Sequence, residues 1–129
     1  MEIGKNTTLA AIQSARRIHI LGAGLNPKAP ANNAVHDISK MGWSPVPVHP
    51  RYAGGSIAGY PIRPKIEEGV DPEIIVLFLA PLRARDAVRK LLLTNQGPPP
   101  LIWFQTGAED EISENWLLDA GWHLSLIHI

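Results

Sequence analysis

Cysteine is absent from the 129 residues, which excludes disulfides, thiolate metal sites and thiol catalysis. Net charge is absent too. Twelve lysines and arginines balance twelve acids, so the broad basic surface that nucleic-acid binding requires is not expected. No apolar run approaches the roughly 18 residues of a membrane span, so no membrane partner is expected. The opening MEIGKNTTLA has no basic stretch leading into an apolar one, so no secretory signal is expected and the default location is the cytoplasm. No H-E-x-x-H and no cluster of His and Asp points to a metal.

What is present fits one globular domain spanning residues 1–129: 45% hydrophobic residues, 19% charged residues and a length sufficient to bury a core. Proline is abundant, at 12 residues, and predicts rigid loops. Charge is uneven along the chain. Residues 1–65 carry eight lysines and arginines against two acids, whereas residues 66–129 carry four against ten. A basic first half suits a phosphate ligand, although halves of a sequence need not be halves of a surface.

Hydrophobic patterning gives the element order. Thr7–Ala15 reads as a short helix, and Arg17–Leu21, apolar and β-branched, as a buried strand. Asn32–Met41 reads as a helix capped by Asn32 or Asn33, with Val35, Ile38 and Met41 inward and Gly42 at its end. Ser44–Val48 (SPVPV) is a strand whose two prolines share one parity. It should pair well on one side and poorly on the other. An edge strand near Ser56–Ala58 and a helical turn near Pro64–Glu68 follow, then a buried strand over Ile74–Leu79.

Arg83–Asn95 is a helix with Ala84, Ala87, Val88, Leu91 and Leu92 on one face and an Asp86–Lys90 pair at i,i+4. Leu101–Phe104 is a strand. Glu109–Ala120 is a helix with Ile112, Trp116 and Ala120 as its inner stripe. The four tryptophans, Trp43, Trp103, Trp116 and Trp122, are expected to serve packing.

This alternation predicts a Rossmann-like doubly wound α/β fold, a mostly parallel sheet of five to six strands flanked by helices. In such sheets ligands bind outside the carboxyl ends of the strands. The loops to read are therefore Gly22–Ala31, His49–Tyr52, Leu79–Leu82 and Gln105–Ala108. The first joins a strand to a helix, the setting of a phosphate-binding loop. Gly22 and Gly24 permit a tight turn and close backbone approach, Asn32 stands near free helix-start amides, and Lys28 can reach a phosphate. Pro27, however, stands where the third glycine of G-x-G-x-x-G would be, and a structural turn remains open. After the second strand, where NAD-binding proteins carry an acid, stand His49, Pro50 and Arg51. A cation there suits a phosphorylated ribose, as in NADP or coenzyme A; an ordinary solvated arginine is the alternative.

The whole chain resembles the small stand-alone CoA-binding proteins with a Rossmann fold, and it is similar to the N-terminal domain of the succinate–CoA ligase alpha subunit. Gly22-Ala23-Gly24-Leu25-Asn26-Pro27-Lys28-Ala29-Pro30 resembles the family's G-x-S-x-x-P-x-x-P. Gly42-Trp43 with Val46-Pro47-Val48-His49-Pro50 resembles G-Y-x-V-x-P-V-N-P, and Gly59-Tyr60-Pro61 its Y-P element. Asp71 with Ile74–Phe78 resembles another of its strands, and Trp103–Gly107 its W-x-Q-x-G.

The resemblance implies coenzyme A or an acyl-CoA as the nucleotide ligand. It places the pyrophosphate on Gly22, Ala23, Gly24, Asn26, Pro27, Lys28 and the helix start at Asn32 and Asn33. His49, Pro50 and Arg51 would then face the ribose or 3′-phosphate, Phe78 and Leu79 the adenine, and Gln105 and Gly107 the pantetheine arm. Gly24 and Ala31 stand where hydroxyl residues are usual, His49 replaces an Asn, and the family's C-terminal Cys is missing.

No catalytic residue is assigned. His19 reads as a core histidine, His36 as a helix-face residue, and His49 as a ligand contact. The phosphorylated histidine of the ligase lies in a second domain for which this chain has no room. The reading is a binding or sensing module, acting alone, as a homodimer or beside a partner enzyme. The alternatives are a small NAD(P)-dependent oxidoreductase or enzyme subunit, and a ligand-sensing regulatory module. Leu124–Ile129 (LSLIHI) alternates as a last strand would. The transposon end CTG TCT CTT ATA CAC ATC, used in sequencing-library preparation, translates to the same residues, so a read-through end after about His123 is expected.

Overall fold

A computed structural model describes residues 17–67 and 69–125. The helix expected over Thr7–Ala15 lies outside them. Five parallel strands form the sheet: β1 (Arg17–Leu21), β2 (Ser44–Val48), β5 (Ile74–Leu77), β6 (Leu101–Phe104) and β7 (Leu124–Ser125), in the order β2-β1-β5-β6-β7. A separate antiparallel hairpin, β3 (Ser56–Ile57) and β4 (Tyr60–Pro61), lies between β2 and β5 in sequence.

Helix α1 (Pro30–Lys40) covers one sheet face. Its Ala31, Ala34, Val35 and Ile38 pack on Ile18, Ile20, Ile74 and Val76. Helices α2 (Pro81–Thr94) and α3 (Glu111–Asp119) cover the other, where Ala84, Val88 and Leu117 meet Ile75, Leu77, Ile102 and Phe104. The central strands are buried on both faces and so read as apolar runs rather than as alternations. The fold is the doubly wound α/β arrangement expected, with five strands. No helix among the described residues is long and apolar enough to cross a membrane.

The proline parity of β2 plays out as expected. One side of the strand pairs with β1 along its whole length, making β2 the sheet edge. On the other side the contact among the described residues is a single bridge, in which the Arg63 amide donates to the Pro47 carbonyl at 2.9 Å and the His49 amide donates to the Arg63 carbonyl at 2.9 Å. Helix α1 ends as expected too. Gly42, at φ +92°, and Trp43 donate back to Ser39 and Ile38, satisfying two carbonyls of the last turn. The Asp86–Lys90 pair forms at 3.2 Å on the solvent side of α2.

Several boundaries differ, each for a physical reason. Neither Asn32 nor Asn33 caps α1. Ala29 is the N-cap and Pro30 opens the first turn, where its missing N–H costs nothing. Met41, expected inward, is exposed beyond the helix end. Helix α2 likewise starts at a proline, Pro81, two residues earlier than expected. The strand expected over Ile74–Leu79 ends at Leu77, where the chain leaves the sheet for the helix start at Pro81, Phe78 and Leu79 packing on opposite faces. Pro64 and Lys65 form a bend rather than a helical turn, and Glu68 lies outside the described residues.

The inner stripe of α3 is Ser113 and Leu117, one position round from the expected Ile112, Trp116 and Ala120. Ile112 and Trp116 are 46% and 36% exposed. Asp110 sets this rotation: its carboxylate is tied to Arg85 on α2 and accepts from the Ser113 amide, which turns the Ser113 side inward.

His19, in the middle of β1, is 2% exposed, as a core histidine should be. Burial, with the nearby positive charge of Arg17, lowers its pKa from 6.5 to about 4. The unfolded chain therefore takes up a proton on His19 between pH 6.5 and 4 that the native chain refuses, so stability falls as pH drops through that window. From this residue alone, urea unfolding should show a loss of about 2 kcal/mol between pH 7 and pH 5. His19→Gln, which does not titrate, should abolish that slope, and an unchanged slope would assign it elsewhere.

Candidate functional site

The order β2-β1-β5 makes β1 and β5 the pair at which the chain reverses direction across the sheet. The loops after them diverge to opposite faces and open a crevice at their carboxyl ends. Backbone bonds join the strands up to its floor: Gly22 donates to the Val48 carbonyl and Phe78 to the Leu21 carbonyl, both at 2.9 Å.

Gly22 lies where the two diverging loops nearly touch. Its φ is +97°, and a Cβ there would sit 2.2 Å from the Phe78 carbonyl oxygen. Only glycine permits that approach. Ala23 is wholly buried in the α1-side core. Gly24 is buried, and its carbonyl accepts from the Asn32 side-chain amide at 2.9 Å. Asn32, then, is part of the loop machinery as a brace rather than as a cap. Asn26 organises the outer turn: its side chain accepts from the Lys28 amide at 3.0 Å, and its carbonyl from the Ala29 amide at 3.1 Å. Pro27 and Lys28 are exposed at the tip. Asn33 is exposed on the helix itself, its amide spent on the Ala29 carbonyl.

Two helices begin at this crevice, and they begin alike. Both α1 and α2 have an alanine N-cap with no side-chain cap and a proline in the first turn. Such a start leaves the next two amides, those of Ala31 and Asn32 in α1 and of Leu82 and Arg83 in α2, without intrahelical acceptors. The positive ends of two helix dipoles thus meet beside β1 and β5, the arrangement that favours phosphate. By contrast, α3 is capped by its own Asp110.

The segment after β2 supplies the wall. The Arg51 amide donates to His49 Nδ1 at 3.2 Å, and the His49 and Tyr52 rings lie 4.7 Å apart, tilted at 54°. Tyr52 rests on the glycine loop: a Cβ on Gly24 would come within 2.9 Å of its ring and 3.5 Å of the His49 ring. Leu25 leans on Gly55 from the other side. The His49 pKa is lowered, first by partial burial and then by the positive charges of Arg51 and Arg83. Two cations from different elements therefore act on one point of the crevice.

Phe78 is half-buried against the α1-side core and Leu79 against the opposite one, so they straddle the floor. Gln105 and Gly107 follow β6, the neighbour of β5 away from the crevice. Gln105 keeps a buried side-chain oxygen without a hydrogen-bond partner.

Sequence reasoning missed Tyr52 and Arg83. Tyr52 fills the space that the missing Gly24 side chain leaves, a relation no local pattern shows. Arg83 sits in the first turn of α2, and its placement two residues after an Ala-Pro start was the available signal.

This geometry is that of a doubly wound α/β fold of Rossmann type with a phosphate-favouring crevice at the reversal of strand order. A model of the CoA binding domain family matches residues 16–125, and the chain belongs to that family. Among solved structures, it is similar to a protein of Thermus thermophilus described as cell-free ID.343, at 25% identity and a TM-score of 0.83, over 95% of this chain and 90% of that one. A conserved hypothetical protein from Pyrococcus furiosus shares 28% identity, with a TM-score of 0.75 over 86% and 92% of the two chains. A hypothetical protein from Pyrococcus horikoshii shares the fold, at 20% identity and a TM-score of 0.81, over 95% and 84%. No curated protein matches.

Proposed function

We propose that the crevice binds coenzyme A or an acyl-CoA. The pyrophosphate lies on the amides of Ala23, Gly24, Leu25 and Asn26 in the glycine loop and on the α1 start, and the 3′-phosphate lies against Arg51 and Arg83. The observation that carries this reading is the meeting of two uncapped helix starts and two arginines beside His49, in a chain of the CoA binding domain family. The residues suit the group. Glycines admit a backbone-hugging diphosphate, cations meet the additional phosphate, and Tyr52 and His49 offer ring faces. The departures Gly24 and Ala31 remove two hydroxyl donors but leave the backbone amides, so backbone and cations share the phosphate charge.

The module binds or senses the ligand, or presents it to a second protein or a second copy, with no bond-changing step of its own. Arg51→Ala should weaken CoA about tenfold, or 1.4 kcal/mol, and leave dephospho-CoA nearly unchanged. Calorimetric titration of both ligands into both proteins checks this. Equal losses for the two ligands would remove Arg51 from the 3′-phosphate.

A further inference from the structure

The glycine loop and the wall of the crevice carry the same three-residue pattern. Asn26-Pro27-Lys28 lies in the loop after β1, and His49-Pro50-Arg51 directly follows β2: a side chain with an acceptor, a proline, then a cation. The structure closes both in the same way. The Lys28 amide donates to Asn26 Oδ1 at 3.0 Å, and the Arg51 amide donates to His49 Nδ1 at 3.2 Å. Both acceptor atoms are bonded to Cγ. The ring nitrogen therefore reaches the backbone two residues on, as the side-chain oxygen of an Asx turn does. The central proline fixes its own φ and stiffens the turn. Each turn thereby sets the direction in which a cation leaves the backbone.

The two turns differ in one respect. An amide oxygen accepts at every pH, whereas Nδ1 accepts only while the ring is neutral with its proton on Nε2. A proton on Nδ1 would set two N–H donors face to face across 3.2 Å, and the turn would have to open. The surroundings of the ring favour the neutral form. His49 is half-buried, and its ring lies 4.7 Å from that of Tyr52. From the glycine loop it faces Gly24, which has nothing to titrate. The charges that act on it are both positive, Arg51 of its own turn and Arg83 of α2. Burial first, and then these two charges, lower its pKa from the ordinary 6.5, so the turn is closed at pH 7 and opens as pH falls below 6.5.

We propose that His49 is a positioning residue: its neutral Nδ1 holds Arg51 in place for the 3′-phosphate, and its protonation releases Arg51 and weakens CoA. This rests on the CoA reading of the crevice. The sign separates positioning from plain electrostatics. As a bare charge, a protonated His49 beside Arg51 and Arg83 would tighten the grip on a phosphate. As the lock of a turn, it loosens that grip. At a half-exposed position the added charge is screened, so the loss of the turn wins.

Two measurements on the full chain test this. The first needs no ligand: amide hydrogen exchange of Arg51 and Lys28 by NMR, each corrected for its intrinsic rate, between pH 7.5 and pH 5. Protection of Arg51 should fall several-fold below pH 6.5, while that of Lys28 holds. His49→Asn should make the Arg51 profile as flat as that of Lys28. The second is calorimetric titration with CoA and dephospho-CoA at both ends of that range. Wild-type affinity for CoA should drop about fivefold more than that of His49→Asn. The comparison cancels proton uptake by the 3′-phosphate and by His19, which both proteins share. Dephospho-CoA should show no such excess. Arg51 protection that ignores pH, or equal drops in the two proteins, would overturn the proposal. So would CoA that tightens more in the wild type at pH 5, or an equal excess with dephospho-CoA. No binding of CoA to either protein at pH 7.5 would overturn the CoA reading instead, and the exchange of Arg51 would then decide for or against the turn.

Discussion

Gly22→Ala is expected to lower the unfolding free energy by about 4 kcal/mol, a large share of the 5–15 kcal/mol a domain of this size has. Two costs add. A φ of +97° is a conformation that an L side chain adopts with strain, and the new Cβ would lie 2.2 Å from the Phe78 carbonyl oxygen. That oxygen is backbone, and its residue is fixed by the Phe78-to-Leu21 hydrogen bond, so it cannot swing aside. The loops after β1 and β5 would have to part, and the floor of the crevice would part with them.

Gly24 makes the useful contrast. A Cβ there meets ring carbons of Tyr52, side-chain atoms that can turn aside where backbone cannot, so Gly24→Ser should cost less than Gly22→Ala, about 1 kcal/mol. Urea unfolding of the two variants side by side checks the pair. Similar small losses would show that the crevice floor is more yielding than its hydrogen bonds indicate.

Asp110→Ala should cost at least the roughly 1 kcal/mol of a lost helix cap, by a different route. Asp110 Oδ1 accepts from Arg85 Nη2 at 2.7 Å and Oδ2 from Arg85 Nε at 2.9 Å, a two-point clasp between α3 and α2. The same Oδ2 accepts from the Ser113 amide at 3.0 Å as the helix cap. About 1 kcal/mol belongs to the cap, and the carboxylate–guanidinium clasp adds to it, moderated because the partly exposed Arg85 guanidinium returns to water when the carboxylate is gone. The Arg85 guanidinium holds the Asp110 carboxyl well below the usual carboxylate range. A group depressed in the folded state lends stability above its unfolded pKa, about 3.9, and withdraws it as pH falls below that value. A double-mutant cycle with Arg85→Ala should return a favourable coupling at pH 7 that shrinks below pH 4. A coupling near zero at pH 7 would reduce the clasp to an ordinary surface pair.

The sequence disclosed the strands better than the helix ends. Arg17–Leu21 and Leu101–Phe104 match residue for residue, because buried parallel strands are short, β-branched or apolar, and bounded by breakers. The paired prolines of Ser44–Val48 foretold, from hydrogen-bond parity alone, a strand that pairs well on one side and poorly on the other. Helix starts failed where two rules competed: an Asn cap and a first-turn proline were both available at α1, and the proline won. The stripe of α3 was misread because periodicity cannot weigh a tertiary tie such as that of Asp110 to Arg85.

In the crevice, the glycine loop and Arg51 were legible because each lies just after a strand. Tyr52 and Arg83 were not, because their roles depend on spatial neighbours 28 and 34 residues away, Gly24 and His49. The buried nitrogen of His19 was half legible. Its burial follows from the strand, but the unpartnered state of Nδ1 required coordinates.

One measurement bears most directly on the central claim, that the crevice holds coenzyme A: calorimetric titration of the protein with CoA, dephospho-CoA, NAD and NADP at one fixed salt concentration. The account predicts one site per chain, with CoA the tightest ligand, dephospho-CoA about tenfold weaker, and NAD and NADP weaker still. Tighter binding of NAD or NADP than of CoA would contradict it and move the crevice to a nicotinamide cofactor.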